Sequence, residues 1–178
     1  MSRIVASVTT LEQHVEAIHR TPEIYRPLSC PHCGIKIVWP HGYYTRKADR
    51  RPLGECSLNP VRILRYCCSV CRRTCSRLPL CIAPRRWHNW SVQQGALERL
   101  LDEAPPHASA GADLPDRRTV GRWWHWLADC GQTFEFHLRS RLPKLGRIAG
   151  FGNFWRQVLK SMGLATAMAL LDQEMTVP

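Results

Sequence analysis

Residues 65–75 read RYCCSVCRRTC, and residues 30–34 read CPHCG. Both contain one pattern, Cys30-x-x-Cys33 in the first and Cys68-x-x-Cys71 in the second, with 34 residues between them. A tight Cys-x-x-Cys turn presents two sulfurs to one point, so two such turns supply the four thiolates of a tetrahedral metal site. Gly34 suits the left-handed turn that follows such a knuckle. Between the knuckles, IKIVW (35–39) and VRILRY (61–66) have strand composition with alternation, and HGYYTRK (41–47) supplies another strand. The Pro- and Gly-containing DRRPLGECSLNP (49–60) reads as an excursion between strands. Knuckle, hairpin and knuckle predict a small β zinc ribbon holding one structural Zn2+ through Cys30, Cys33, Cys68 and Cys71.

Other uses of the cysteines fit less well. CPHC also occurs at the active sites of thiol-disulfide oxidoreductases, where it follows a buried strand and opens a helix. Here it runs into the β-branched GIKIVW and then Pro40, which is not that context. Cys67 stands at Cys-x-x-x-Cys spacing from Cys71, but the knuckle turn favours Cys68 and leaves Cys67 facing the ribbon's interior. Cys56, Cys75, Cys81 and Cys130 have no partner at knuckle spacing and read as small packing residues. His32 lies inside a knuckle, and His41 is a turn residue before Gly42. Nine cysteines in a reducing compartment do not read as a disulfide framework, and the odd count agrees.

Charge is the strongest global signal. The 178 residues carry 25 Lys+Arg against 14 Asp+Glu, and 21 of the basic residues are arginine. A planar guanidinium fork matches phosphate oxygens and guanine edges, so this composition points to nucleic acid. Residues 30–90 hold ten arginines and two lysines against Asp49 and Glu55. Four thiolates on a zinc ion remove only about two of those charges, so the ribbon stays strongly basic. Arg46, Arg65, Arg72, Arg73, Arg85 and Arg86 are expected to meet phosphates, with Arg72 and Arg73 also placed to support the anionic metal site.

A helical module follows. WHNWSVQQGALERLLDEA (87–104) has Val92, Leu97, Leu100 and Leu101 near helical spacing, with Ser91 as an N-cap. PPHASAGADLP (105–115) breaks the pattern. In DRRTVGRWWHWLADCG (116–131) Asp116 caps a helix whose Val120, Trp123, Trp124 and Leu127 form one apolar stripe. Its other face carries Arg118, Arg122 and His125, with Arg117 and Thr119 at the N-terminal end, where a recognition helix contacts bases and phosphates.

The flanks predict further helices. TTLEQHVEAIHR (9–20) has Thr9 and Glu12 at capping-box spacing and Leu11, Val15 and Ile18 on one face, giving an extra N-terminal helix packed on the ribbon. Residues 133–150 and 151–175 predict two or three helices split by Pro143, Gly150 and Gly163, burying Phe154, Trp155, Val158, Leu159 and Met162. The opening MSRIVASVTTLEQHVEA lacks the apolar run of a secretory signal. MGLATAMALL (162–171) is about half the roughly 20 residues that cross a bilayer. A cytoplasmic protein with no membrane partner is therefore expected.

CPHCG, HGYYTRK, VRILRYCCSVCRRTCSRLP and RRTVGRWWHWL together resemble the N-terminal zinc-ribbon and helix-turn-helix region of bacterial insertion-sequence transposases, and the small transposase-like proteins that carry that region alone. The likeness covers roughly residues 28–130, most specifically the second knuckle with Arg73, Thr74, Leu78 and Pro79 behind it. An aromatic commonly follows that Thr in the family, where this chain has Cys75. The resemblance implies binding to double-stranded mobile-element DNA, with Cys30, Cys33, Cys68 and Cys71 as ligands; a separate transposase, recombinase or other subunit is a further candidate partner, and the sequence leaves its recruitment open. It does not imply catalysis. Strand transfer needs three carboxylates holding two metal ions, and after residue 130 the chain has only Glu135, Asp172 and Glu174. A zinc-bound His-Asn-His nuclease would need a second histidine beyond His88 and Asn89 in WHNW (87–90), and none follows at a suitable distance. A protein-interaction ribbon within a larger nucleic-acid-processing assembly is the other non-enzymatic reading.

The expected fold is α+β: an N-terminal helical arm (1–27), a zinc ribbon (28–86), a helix-turn-helix-like module (87–131) and C-terminal helices (132–178).

Overall fold

The computed structural model describes residues 3–48, 58–84, 88–102, 115–175 and 177. The fold is α+β and divides into two compact units, residues 1–87 with 172–178 and residues 88–171.

The first unit is built on a three-stranded antiparallel sheet of β2 (Val38–Arg46), β3 (Val61–Cys68) and β4 (Thr74–Cys75), in that order. Residues 35–37, expected in a strand, lie outside it, because the turn after the first knuckle uses Ile35 O to accept from Cys30 N. The two strands expected at 35–39 and 41–47 are instead one strand with a bulge. Val38 pairs with Cys68 and Pro40 with Tyr66, the register shifts, and Tyr43 then pairs with Leu64. Pro40 lacks an N–H and Gly42 sits at φ 73°, so both suit an irregular stretch.

The pleat of β3 serves two small cores. Val61 and Ile63 pack with Ala48, Leu78 and Ile82. Tyr66 and Cys68, an odd number of residues further on and so on the other face, pack with Val38, Tyr25, Val5 and Val8. A second, two-stranded parallel sheet joins β1 (Ile4–Val5) to β5 (Leu78–Pro79). The start of β1 is fixed by Asp172, whose buried Oδ2 accepts from the backbone N–H groups of Arg3 and Ile4, the latter at 2.7 Å.

Helix α1 (Leu11–Arg20) is capped one residue later than the sequence predicts. Thr10 accepts from Gln13 N, and the Gln13 amide oxygen takes the N–H groups of Thr9 and Thr10. Leu11, Val15 and Ile18 are half-buried, and the centre of the packed face is His14, only 1% exposed, with Ala17. His14 Nε2 donates to Arg62 O on β3 at 2.9 Å, so its Nδ1 accepts from the Tyr25 hydroxyl at 2.6 Å. Burial holds His14 below the usual histidine range, which keeps the ring neutral.

The second unit contains α2 (Trp90–Leu101), α3 (Arg117–Asp129), α4 (Gly131–Arg141) and α5 (Phe151–Leu171). Asn89, not Ser91, caps α2: its Oδ1 accepts from Val92 N at 3.0 Å and from the Ser91 hydroxyl at 2.8 Å. Leu97, Leu101, Trp123, Leu127, Phe134, Phe154 and Trp155 form the interior. Helix α5 kinks at Gly163, φ 76°, and Gln94 Oε1 accepts the Leu164 N–H there at 2.8 Å. Arg139 ties α4 to the turn before α5: it donates to Leu145 O, Gly146 O and Ile148 O, pairs with Glu135 at 3.0 Å, and lies 4.5 Å from the Phe154 ring centroid. The expected excursion at 49–60 and connection at 105–115 fall largely outside the described residues.

Candidate metal centre and nucleic-acid interface

The two knuckles are built alike. Gly34 N donates to Cys30 O at 2.9 Å, and Arg72 N donates to Cys68 O at 3.1 Å. Cys30 N donates to Ile35 O, and Cys68 N donates to Arg73 O. Both turns place their fifth residue in the left-handed region, Gly34 at φ 77° and Arg72 at φ 58°. Glycine takes that conformation without cost, whereas arginine is strained there by about 1–2 kcal/mol.

These turns bring Cys30, Cys33, Cys68 and Cys71 together with every Sγ within 4.8 Å of the others. Cys30 and Cys71 lie 3.5 Å apart, as do Cys33 and Cys68. A tetrahedral ion with sulfurs about 2.3 Å away sets sulfur separations of about 3.8 Å, so the cage fits a zinc-sized ion. All four are free thiols. Backbone N–H groups point at the sulfurs: His32 N donates to Cys30 Sγ at 3.4 Å. The N–H of Cys71, with that of Val70, brings the Cys68 thiol down to about 6 and favours a thiolate. At Cys71 the N–H of Arg73 acts in the same direction but is outweighed by burial and by the neighbouring thiols, which push it up to about 12. Among the described residues this is the one cluster of metal-ligating side chains.

Cys67 stands apart. It pairs across the sheet with Trp39, is half-buried, and directs Sγ toward Cys68 O and Arg72 O at 3.6 Å. Cys75 and Cys81 each pack against one of the two cores. Cys130 is half-buried between α3 and α4, and Cys56 lies outside the described residues.

The arginines expected at an interface occupy different settings. Arg72 and Arg73 are exposed, and they touch the sulfur site through their backbones. Arg65 is half-buried, 5.6 Å from the Tyr44 ring centroid. Arg46 is half-buried and donates to Ala83 O at 2.6 Å, so it holds the fold. Arg85 and Arg86 lie outside the described residues. On α3, Val120, Trp123 and Leu127 are buried, Trp124 is half-buried against Phe151, and Arg117, Arg118, Arg122 and His125 are exposed. Asp116 caps the helix through Thr119 N at 2.8 Å, which lowers its carboxyl below the usual range. The Thr119 hydroxyl donates to Asp116 Oδ2 and accepts from Arg122 Nη2 at 3.0 Å, holding that guanidinium along the first turn.

No described helix is long and apolar enough to cross a membrane. Comparison of the chain with protein-family models, curated proteins and solved structures finds no match. What the chain's own geometry establishes is an α+β protein in which four cysteines form a cage able to bind one metal ion.

Proposed function

We propose that this chain is a cytoplasmic double-stranded DNA-binding protein of a bacterial mobile element, transposase-like and without its own catalytic core. Its sulfur cage takes one structural zinc ion, bound by Cys30, Cys33, Cys68 and Cys71. Four thiolates leave no open coordination position, so the ion supplies folding energy to a unit with two small cores and no Lewis-acid chemistry. The first unit then acts as a zinc ribbon, and α2 with α3 acts as the helix-turn-helix-like module.

The observation that carries the reading is α3. It buries Val120, Trp123 and Leu127 and leaves Arg117, Arg118, Arg122 and His125 exposed near a capped N-terminus. That is the composition of a helix that enters a major groove, and it belongs to a chain with formal charge +11. Of the acids after residue 130, Glu135 is paired with Arg139 and Asp172 holds backbone N–H groups, which gives both carboxylates structural tasks. Recruitment of a separate transposase or recombinase completes the proposal.

Competition decides it. Zinc-loaded protein bound to a labelled duplex should be displaced by unlabelled duplex far better than by single-stranded DNA or RNA of equal length. Preferential displacement by a single strand would refute the reading.

A protein-interaction ribbon is favoured by one observation, the exposed apolar side chains near the knuckles: Ile37 at 52% and Val70 at 63%, with Ile35 beside them. It predicts a shallow salt dependence of any DNA affinity.

A further inference from the structure

A recess of about 260 Å3 opens on the first unit. Arg3, Arg46 and Arg77 line it, brought there from three separate stretches of chain, and no carboxylate is among its described lining residues. Half-burial weakens the solvent screening of like charges that line one recess. Two of the guanidiniums are held in place by backbone. Arg46 donates to Ala83 O, and Arg77 donates to Ile24 O at 3.0 Å and to Ile4 O at 3.2 Å. Carbonyl dipoles fix the guanidinium planes and leave their formal charge in place. Among the described residues Asp172 is the carboxylate beside the recess, its charge acting on Arg77 and its Oδ2 engaged by the N–H groups of Arg3 and Ile4. A lining with three arginines is complementary to an anionic group.

Its other surfaces narrow the ligand further. The hydroxyl residues Thr74 and Ser76 line it as additional donors, and Tyr44, Pro27 and Pro31 provide flat apolar wall. At about 260 Å3 the recess is too roomy for a phosphate alone and lies just below the range of small-molecule sites, about 300–1,000 Å3. An internal phosphodiester carries one negative charge and must pass strand both in and out, whereas a phosphate monoester carries close to two charges and ends the chain.

We propose that this recess binds a nucleotide through its phosphate monoester, with the phosphate against Arg3, Arg46 and Arg77 and the sugar and base against Tyr44 and the two prolines. The source is either a free nucleotide or the 5′-phosphorylated end of a DNA strand, which present the same chemistry. The proposal goes beyond the duplex-binding reading and stands independently of it.

Calorimetric titration of the metal-loaded full chain with deoxyadenosine 5′-monophosphate, and separately with deoxyadenosine, tests it. The monophosphate should bind at least about tenfold more tightly. Arg3→Gln removes one guanidinium, and Ser76→Asp sets a carboxylate in the recess without touching the carbonyl bonds of Arg46 and Arg77. Each should abolish the difference while thermal melting and metal content stay at the wild-type level; if Ser76→Asp does not fold, Arg3→Gln decides alone. A parallel comparison of 5′-phosphorylated and 5′-hydroxyl duplexes identifies the source: a gain there points to strand ends, and a gain with the mononucleotide alone points to a free nucleotide. Equal binding within both pairs, or a preference that persists in every folded variant, would overturn the proposal.

Discussion

Cys33 Sγ lies 3.5 Å from Cys68 Sγ although 34 residues separate them in the chain, and Cys30 Sγ stands the same distance from Cys71 Sγ. The contacts cross between knuckles, so the cage closes only when both turns are formed and the β2–β3 hairpin holds them in register. Val38, paired with Cys68, is the last step of that register before the sulfurs.

Exchange of a cage sulfur for oxygen should therefore open the first unit. Cys68→Ser is expected to remove most metal affinity and to unfold this unit, as followed by metal content and far-ultraviolet circular dichroism. Cys67→Ser should retain one metal ion and cost less than about 1 kcal/mol, since it deletes only weak thiol contacts to Cys68 O and Arg72 O. Equal loss of metal in the two variants would place the fourth ligand at the wrong cysteine.

Arg72 offers a separation of stability from binding. Its φ of 58° is strained for arginine and free for glycine. Arg72→Gly should leave stability unchanged or raise it by up to about 1 kcal/mol, after the greater backbone entropy of unfolded glycine is subtracted. The same variant should bind duplex DNA more weakly, because an exposed guanidinium is gone. Loss of thermal stability would show that the Arg72 side chain supports the metal site.

His14 makes stability pH-dependent. Its folded-state pKa is lowered from 6.5 by burial, so the unfolded chain takes up the proton first as pH falls. The His14 contribution is thus fully present above pH 6.5 and declines as pH drops below it. Urea midpoints measured between pH 7.5 and 5.5 should fall, and fall less in His14→Gln. An identical decline in both proteins would assign the effect to another group, the cysteine cage foremost.

Arg139, like Arg46, is a structural arginine. It donates to three carbonyls, an ion pair and an aromatic face at once. Arg139→Ala should destabilise the second unit by about 2–3 kcal/mol in chemical denaturation, with Arg139→Lys recovering little, because only a planar fork serves that many acceptors. Wild-type stability of Arg139→Ala would contradict this.

Spacing made the cage legible, since a knuckle is a local turn and its two cysteines lie three residues apart. The apolar stripe of α3 was legible for the same reason: Val120, Trp123 and Leu127 repeat at the period of one helix. What escaped the sequence was decided by contacts distant in the chain. The apolar face expected for α1, Leu11, Val15 and Ile18, does not include His14, whose burial depends on Tyr25 and Arg62 O closing around it. The convergence of Arg3, Arg46 and Arg77 depends on the pairing of β1 with β5 and on the bulged β2, neither visible in local composition. Asp172 gave no sign that it would fix the start of β1 from the far end of the chain. At the helix starts, polar residues fill several adjacent positions, and the side chain that reaches the N–H groups is settled by backbone geometry.

On the proposed function, the basic surface meets duplex phosphates while α3 reads bases. The affinity of metal-loaded protein for duplex DNA across a salt series, with wild type and Arg122→Ala on a site selected from random duplexes and on random DNA, tests both halves at once. Log affinity should fall steeply and linearly with log salt. Arg122→Ala should cost about 1–3 kcal/mol on the selected site and much less on random DNA. A flat salt response, or an equal loss on both duplexes, would contradict the proposed function.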